Sequence, residues 1–203
     1  MIVDDGAGGT NRKATMARLA TYMGTKITGG SKVFIASSGA ISNAASVQFR
    51  EQDGHFDSSL FDHYEFRLQA VTPATDSVSL NCQTSTNDGS AYATSSGDYH
   101  IAGVTDHIGL LLNSDYVVGS DTNEFGLSGT FHLLNPHLSS VYTTSLSVCT
   151  VFYTNGGVYH TTHGSGAGSA RVAAENTNAV KFIMSSGNIE SGEIVMYGIA
   201  NGS

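Results

Sequence analysis

The sequence predicts an all-β protein: an antiparallel, jelly-roll-like β-sandwich preceded by a short N-terminal strand-turn-helix adaptor. Three observations predict it. From Lys32 onward, ten short segments are rich in Val, Ile, Phe, Tyr and Thr, residues that suit a pleated, half-buried surface. Turn signals divide them, among them Asn87-Asp88-Gly89, Thr154-Asn155-Gly156-Gly157 and Gly187–Gly192. No convincing helical pattern stands between them. Eight to ten short strands without helices close up as a sandwich or a barrel. At 203 residues the chain is one domain's worth, with room for a small appendage. The expected units are an adaptor over 1–30 and a sandwich over 31–203.

The adaptor opens with the run IVDD and a Gly-rich turn, and then ATMARLATYMGTKI reads as a short helix. Met16, Leu19, Tyr22 and Met23 fall on one face at helical spacing. Thr15 suits the N-cap and Gly24 the stop. A helix of about ten residues is marginal alone, so this face is the expected docking and oligomerisation surface. Gly29-Gly30-Ser31 reads as a hinge. The strand candidates follow: KVFIASS, AASVQFRE, HYEFRLQAV, VSLNCQTS, DYHIAGV, FGLSGTFHLL, SSVYTTSLSVCTVFY, VYHTTH, AVKFIMSS and GEIVMYGIA. Residues 106–124 read as strand or loop, and GSGAGSA at 164–170 as a surface loop. Asp88-Gly89 suits a hairpin turn, and AVKFIMSSGNIESGEIVMYGIA reads as another hairpin.

Charge is sparse, at 13% of residues, and the formal net charge is −8. Residues 1–32 hold five basic and two acidic side chains, a net +3, whereas the remainder holds four basic and fifteen acidic, a net −11. No basic residue occurs from Leu68 to Ala170, so no nucleic-acid-binding patch is expected there. No run approaches the ~20 apolar residues of a membrane-spanning helix, and the first residues lack the pattern of a signal peptide. Cys82 and Cys149 lie in apolar alternating runs and read as two buried free thiols. A disulfide stays possible, since spacing does not decide it.

Several phrases together resemble a known group. IVDDGAGGTNRKATMARL, FDSSLFDHYEFRLQAV, the turn Pro73-Ala74-Thr75-Asp76, the close Ser185-Ser186-Gly187-Asn188-Ile189 and the pair Tyr197-Gly198 are similar to segments of tail-fibre-like and other virion structural proteins of marine tailed bacteriophages. Asn87-Asp88-Gly89-Ser90 departs from the matching hairpin by one residue. The likeness covers most of the chain outside about 106–175. It implies a virion location after assembly in the host cytoplasm, and a tail-fibre or tail-associated adhesin module. A capsid decoration or head-fibre protein is the alternative, and a glycan-degrading enzyme domain the third reading. By the same analogy the chain is expected to be a homotrimer. Its partners would be capsid or tail proteins, and a host surface glycan.

Catalysis finds no foothold in the motifs. Neither a Gly-x-Ser-x-Gly elbow nor His-Glu-x-x-His is present. Glu51, Asp53, Asp57, Asp62 and Glu65 cluster locally and read as a charged rim, although paired carboxylates for glycan cleavage can be remote in sequence. His160 and His163 supply two imidazoles where zinc wants four ligands. No cofactor or metal is expected, although a trimer could bring three copies of one histidine onto its axis. Most tyrosines suit core packing. Tyr92, Tyr99, Tyr116 and Tyr159, set among polar residues, are the candidates for surface recognition.

Overall fold

The computed structural model describes residues 2–3, 12–13, 32–95, 97–100, 108–110, 117–121, 124–155, 158–166 and 170–200, with only the backbone of 2–3, 12–13, 109, 152–155, 158–166, 170 and 200. Among the described residues there is no α-helix, and the expected helix at 15–24 lies outside them. Short strands β1 (Ile2–Val3) and β2 (Arg12–Lys13) pair antiparallel with each other.

The remaining strands are β3 (Lys32–Ser37), β4 (Val47–Arg50), β5 (Phe61–Pro73), β6 (Leu80–Ser85), β7 (Tyr99–His100), β8 (Ile108–Gly109), β9 (Leu127–Leu134), β10 (Tyr142–Asn155), β11 (Val158–Gly166), β12 (Ala170–Ala174), β13 (Ala179–Met184) and β14 (Ile189–Ala200). They form two antiparallel sheets. The larger runs β3-β14-β5-β9-β10-β12-β7, with β11 also paired to β10, and the smaller runs β4-β13-β6-β8. The halves β3-β14-β5-β9 and β4-β13-β6-β8 have the order of two Greek keys wound together. Strands β10, β11, β12 and β7 then extend the larger sheet sideways.

The core follows from period-2 alternation. Tyr64, Phe66 and Leu68 of β5 point inward, as do Phe131 and Leu133 of β9, Phe49 of β4 and Val180 and Phe182 of β13, all at most 2% exposed. Phe66 and Phe131 from the larger sheet meet Phe49 and Phe182 from the smaller. Their ring centres are 5.2 to 6.4 Å apart, mostly tilted or edge-on, the spacing that aromatic quadrupoles favour. Gly129 has φ +155 where β9 runs against β10, and a Cβ there would strike the Val148 carbonyl.

Several sequence expectations need correction. The turns after β6 and β13 are not hairpins. β13 lies in the smaller sheet and β14 in the larger, and β6 and β7 are likewise in different sheets. In such a winding the chain changes sheet where its turn residues stand. The turn after β10 is a hairpin, since Asn155 faces Val158. Residues 164–166 are strand rather than loop, because Gly164, Ser165 and Gly166 pair with Cys149, Val148 and Ser147. Strand β12 went unrecognised, having only five residues, of which three are alanine. Cys82 and Cys149 are buried free thiols. Burial raises both, Cys149 to about 12.

Candidate functional site

At one end of the sandwich, the segment leading into β5 and the connection from β9 to β10 enclose a pocket of about 330 Å³. Its lining is Ser58, Asp62, His63, Asn135, His137 and Leu138. The floor is built from the core outward. Phe56, 3% exposed, packs on Tyr64 with ring centres 4.7 Å apart, and its edge meets His137 at 6.2 Å. The Tyr64 hydroxyl accepts the Asp57 N–H at 2.8 Å and lies 2.7 Å from His137 Nε2. A buried phenol has one proton to give, and His137 Nε2 is the acceptor within reach, so Tyr64 donates to it. The His137 ring also hydrogen-bonds Asn176, and burial lowers its pKa below the usual value. Burial favours the neutral imidazole and outweighs the Asn176 bond, which favours the charged ring. Desolvation raises Tyr64 far above the ordinary phenol range.

The rim follows from local backbone chemistry. Asp57 Oδ1 accepts from the Ser59 N–H and hydroxyl, closing a tight Asx turn at 57–59. Asn135 sits at φ +55, a left-handed position that asparagine tolerates. Its N–H donates to His63 Nδ1 at 3.3 Å, which fixes the ring at the pocket's edge. Leu138, 49% exposed, forms an apolar wall. Asp62 is the one carboxylate among the six lining residues, and it is exposed. The arrangement therefore offers carboxylate, carboxamide, hydroxyl and imidazole groups beside one apolar surface. That set suits several simultaneous hydrogen bonds to a polar ligand about the size of a sugar ring.

The acidic residues expected as a rim separate into distinct roles. Asp53 pairs with Arg50 at 2.8 Å, Glu51 accepts from Asn178, and Glu65 is buried against Lys32 at 2.6 Å. Among the described residues, no group of three or more His, Cys, Asp or Glu is placed to hold a metal ion. No described helix is long and apolar enough to cross a membrane.

The tyrosine candidates divide. Tyr99 is a correction: at 1% exposure it belongs to the core, its hydroxyl bonded to the N–H and side chain of Thr84 and its ring 4.9 Å from the Arg171 guanidinium. It sits on β7, inward in the sheet extension, so alternation aims it at the interior. Tyr92 is half-buried over the outer face of the smaller sheet. There its hydroxyl donates to Gln48 Oε1 at 3.0 Å, and the Lys181 amine lies 4.3 Å from its ring centre. Tyr159 lies on β11, where only the backbone is described, and Tyr116, Met16, Leu19, Tyr22 and Met23 lie outside the described residues. Neither Tyr92 nor Tyr99 lines the pocket. Asp62 figures in the sequence only as part of a charged rim, and nothing there links it to Asn135, His137 or Leu138.

Comparison with family models, with curated proteins and with solved structures finds no match to this chain.

Proposed function

We propose that this chain is a structural module of a bacteriophage virion, a tail-fibre or tail-associated adhesin that holds a glycan of the host surface in the pocket at 58–63 and 135–138. The observation that carries the reading is the pocket itself. Asp62, Asn135, Ser58 and His63 present acceptors and donors around the Leu138 wall, fixed by the Tyr64–His137 floor beneath. A sugar offers hydroxyls for those groups and a C–H face for the wall. A single lining carboxylate among the described residues favours binding over the two-carboxylate chemistry of glycan hydrolysis, and the module is read as non-catalytic. The resemblance of its motifs to tail-fibre-like virion proteins supports the location. Copies are proposed to form a homotrimer that docks on capsid or tail proteins through residues 1–30. The net +3 of residues 1–32 against −11 elsewhere supports that polarity.

Calorimetric titration with polysaccharide from the host surface tests the reading. Saturable binding is expected, and Asp62→Ala with Asn135→Ala should weaken it roughly tenfold or more. Equal binding by the double variant sinks the pocket assignment, and release of oligosaccharides would make the module an enzyme. A capsid decoration role is the second reading, favoured by the outward apolar side chains of β10, since decoration proteins lie flat against neighbours. Antibody labelling of intact particles separates head from tail.

A further inference from the structure

The first half of strand β10 is built inside out. Its inward positions include Thr143, Ser145 and Ser147, at 2 to 4% exposure, while its outward positions include Tyr142, Leu146 and Val148, at 42 to 51%. The inward hydroxyls have partners: Ser147 donates to the Leu110 carbonyl at 2.7 Å, and Thr143 bonds Thr177 at 3.2 Å. Tyr142 stands opposite Ala174 of β12, and Val172, 36% exposed, lies on the same outward side. With the uncharged Thr144 between Tyr142 and Leu146, the outward side chains make a largely apolar face on the extension of the larger sheet.

This face is also without charge. From Phe125 to Ala170, 46 consecutive residues include no Asp, Glu, Lys or Arg, and they supply β9, β10 and β11. Across from Leu146 and Val148 stand His132 and Thr130 of β9. Beyond them on β5 stand the exposed Arg67 and also Glu65, which is buried against Lys32. An apolar centre depleted of charge with a charged rim is the anatomy of a protein–protein interface, and an isolated monomer rarely exposes such a patch.

We infer that this face packs against a second copy of the same chain. Charge selects the occupant. Each copy carries a net −8, so contact through most of its surface sets like charges against each other, whereas two uncharged faces meet without that repulsion. A basic partner would find no carboxylate to recognise here. The inference rests on the proposed self-association and names its surface, in sheet β9–β12 rather than in the adaptor.

The test is sedimentation equilibrium of the full chain and of Leu146→Glu/Val148→Glu. Both positions are solvent-exposed in one copy, so the variant should keep its β circular dichroism while its association constant falls roughly a hundredfold or more. Phe34→Glu is the control. Phe34 is 60% exposed on β3, four strands from β10, and its change should leave the mass as it was. An assembled wild type with an equally assembled, folded double variant overturns the face but not self-association. A monomeric wild type at millimolar concentration overturns both. Should the double variant misfold, Val148→Cys keeps the inference open to failure. Maleimide labelling should slow markedly as protein concentration rises, and a concentration-independent rate refutes it.

Discussion

The two halves of the larger sheet use alternation in opposite senses. In β5 and β9 the inward positions are Tyr64, Phe66, Leu68, Phe131 and Leu133, facing the smaller sheet. In the first half of β10 the inward positions are hydroxyl residues and the outward ones, Thr144 apart, are apolar. The smaller sheet has four strands against the larger sheet's eight, so it does not span the extension. Where a second sheet lies opposite, apolar side chains turn in, and burying each one contributes about 1.5–3 kcal/mol. Inside β10, short hydroxyl side chains are satisfied by loop carbonyls such as that of Leu110. Stability resides in the aromatic centre, and the extension is shaped for contact.

Phe182→Ala should break the comparison most severely. Its ring touches Phe49, Phe66 and Phe131 at full burial, so its loss should cost about 3–5 kcal/mol. Leu146→Ala should stay within about 0.5 kcal/mol at concentrations where the chain is monomeric. Urea unfolding checks both, and similar costs would mean that the extension is core after all. Gly129→Ala comes next, at about 1–3 kcal/mol, because a Cβ at φ +155 meets the Val148 backbone across the junction of the two halves. Loss of structure confined to β10–β12, read by hydrogen exchange, would show that the extension unfolds separately.

The smallest effect is that of pH at the pocket floor. Burial lowers His137 below its usual value of 6.5, so the fold favours the neutral ring. Stability from this site is fully present above about 6.5. It declines as pH falls below that, where the unfolded chain takes up the proton first, and levels off below the folded-state value. The urea midpoint should drop on going from pH 7 to pH 5, and His137→Asn should reduce that drop. An unchanged pH profile in the variant would show that the Tyr64–His137 bond carries no such coupling. His55, lowered by burial in the same direction, accounts for part of the remainder.

Much of this was readable before the fold. Alternation in HYEFRLQAV placed Tyr64, Phe66 and Leu68 on one face, and both cysteines read as buried thiols. Tyr99 misled, because a tyrosine among polar neighbours looks like a surface residue until a sheet extension and Arg171 close over it. The pocket was hidden for another reason. Tyr64 and His137 are 73 positions apart, and neither local propensity nor periodicity carries information over that distance.

By itself the sequence determined the all-β class, many of the turns and the uncharged character of residues 125–170, since each depends on residue type and near neighbours. Which turns are hairpins and which are crossings between sheets was decided only by the tertiary winding, because the same Gly and Asn chemistry serves both. The tertiary structure also decided which side of β10 is outside. A period of two separates a strand's faces without saying which one meets a second layer, and that depends on where the smaller sheet ends.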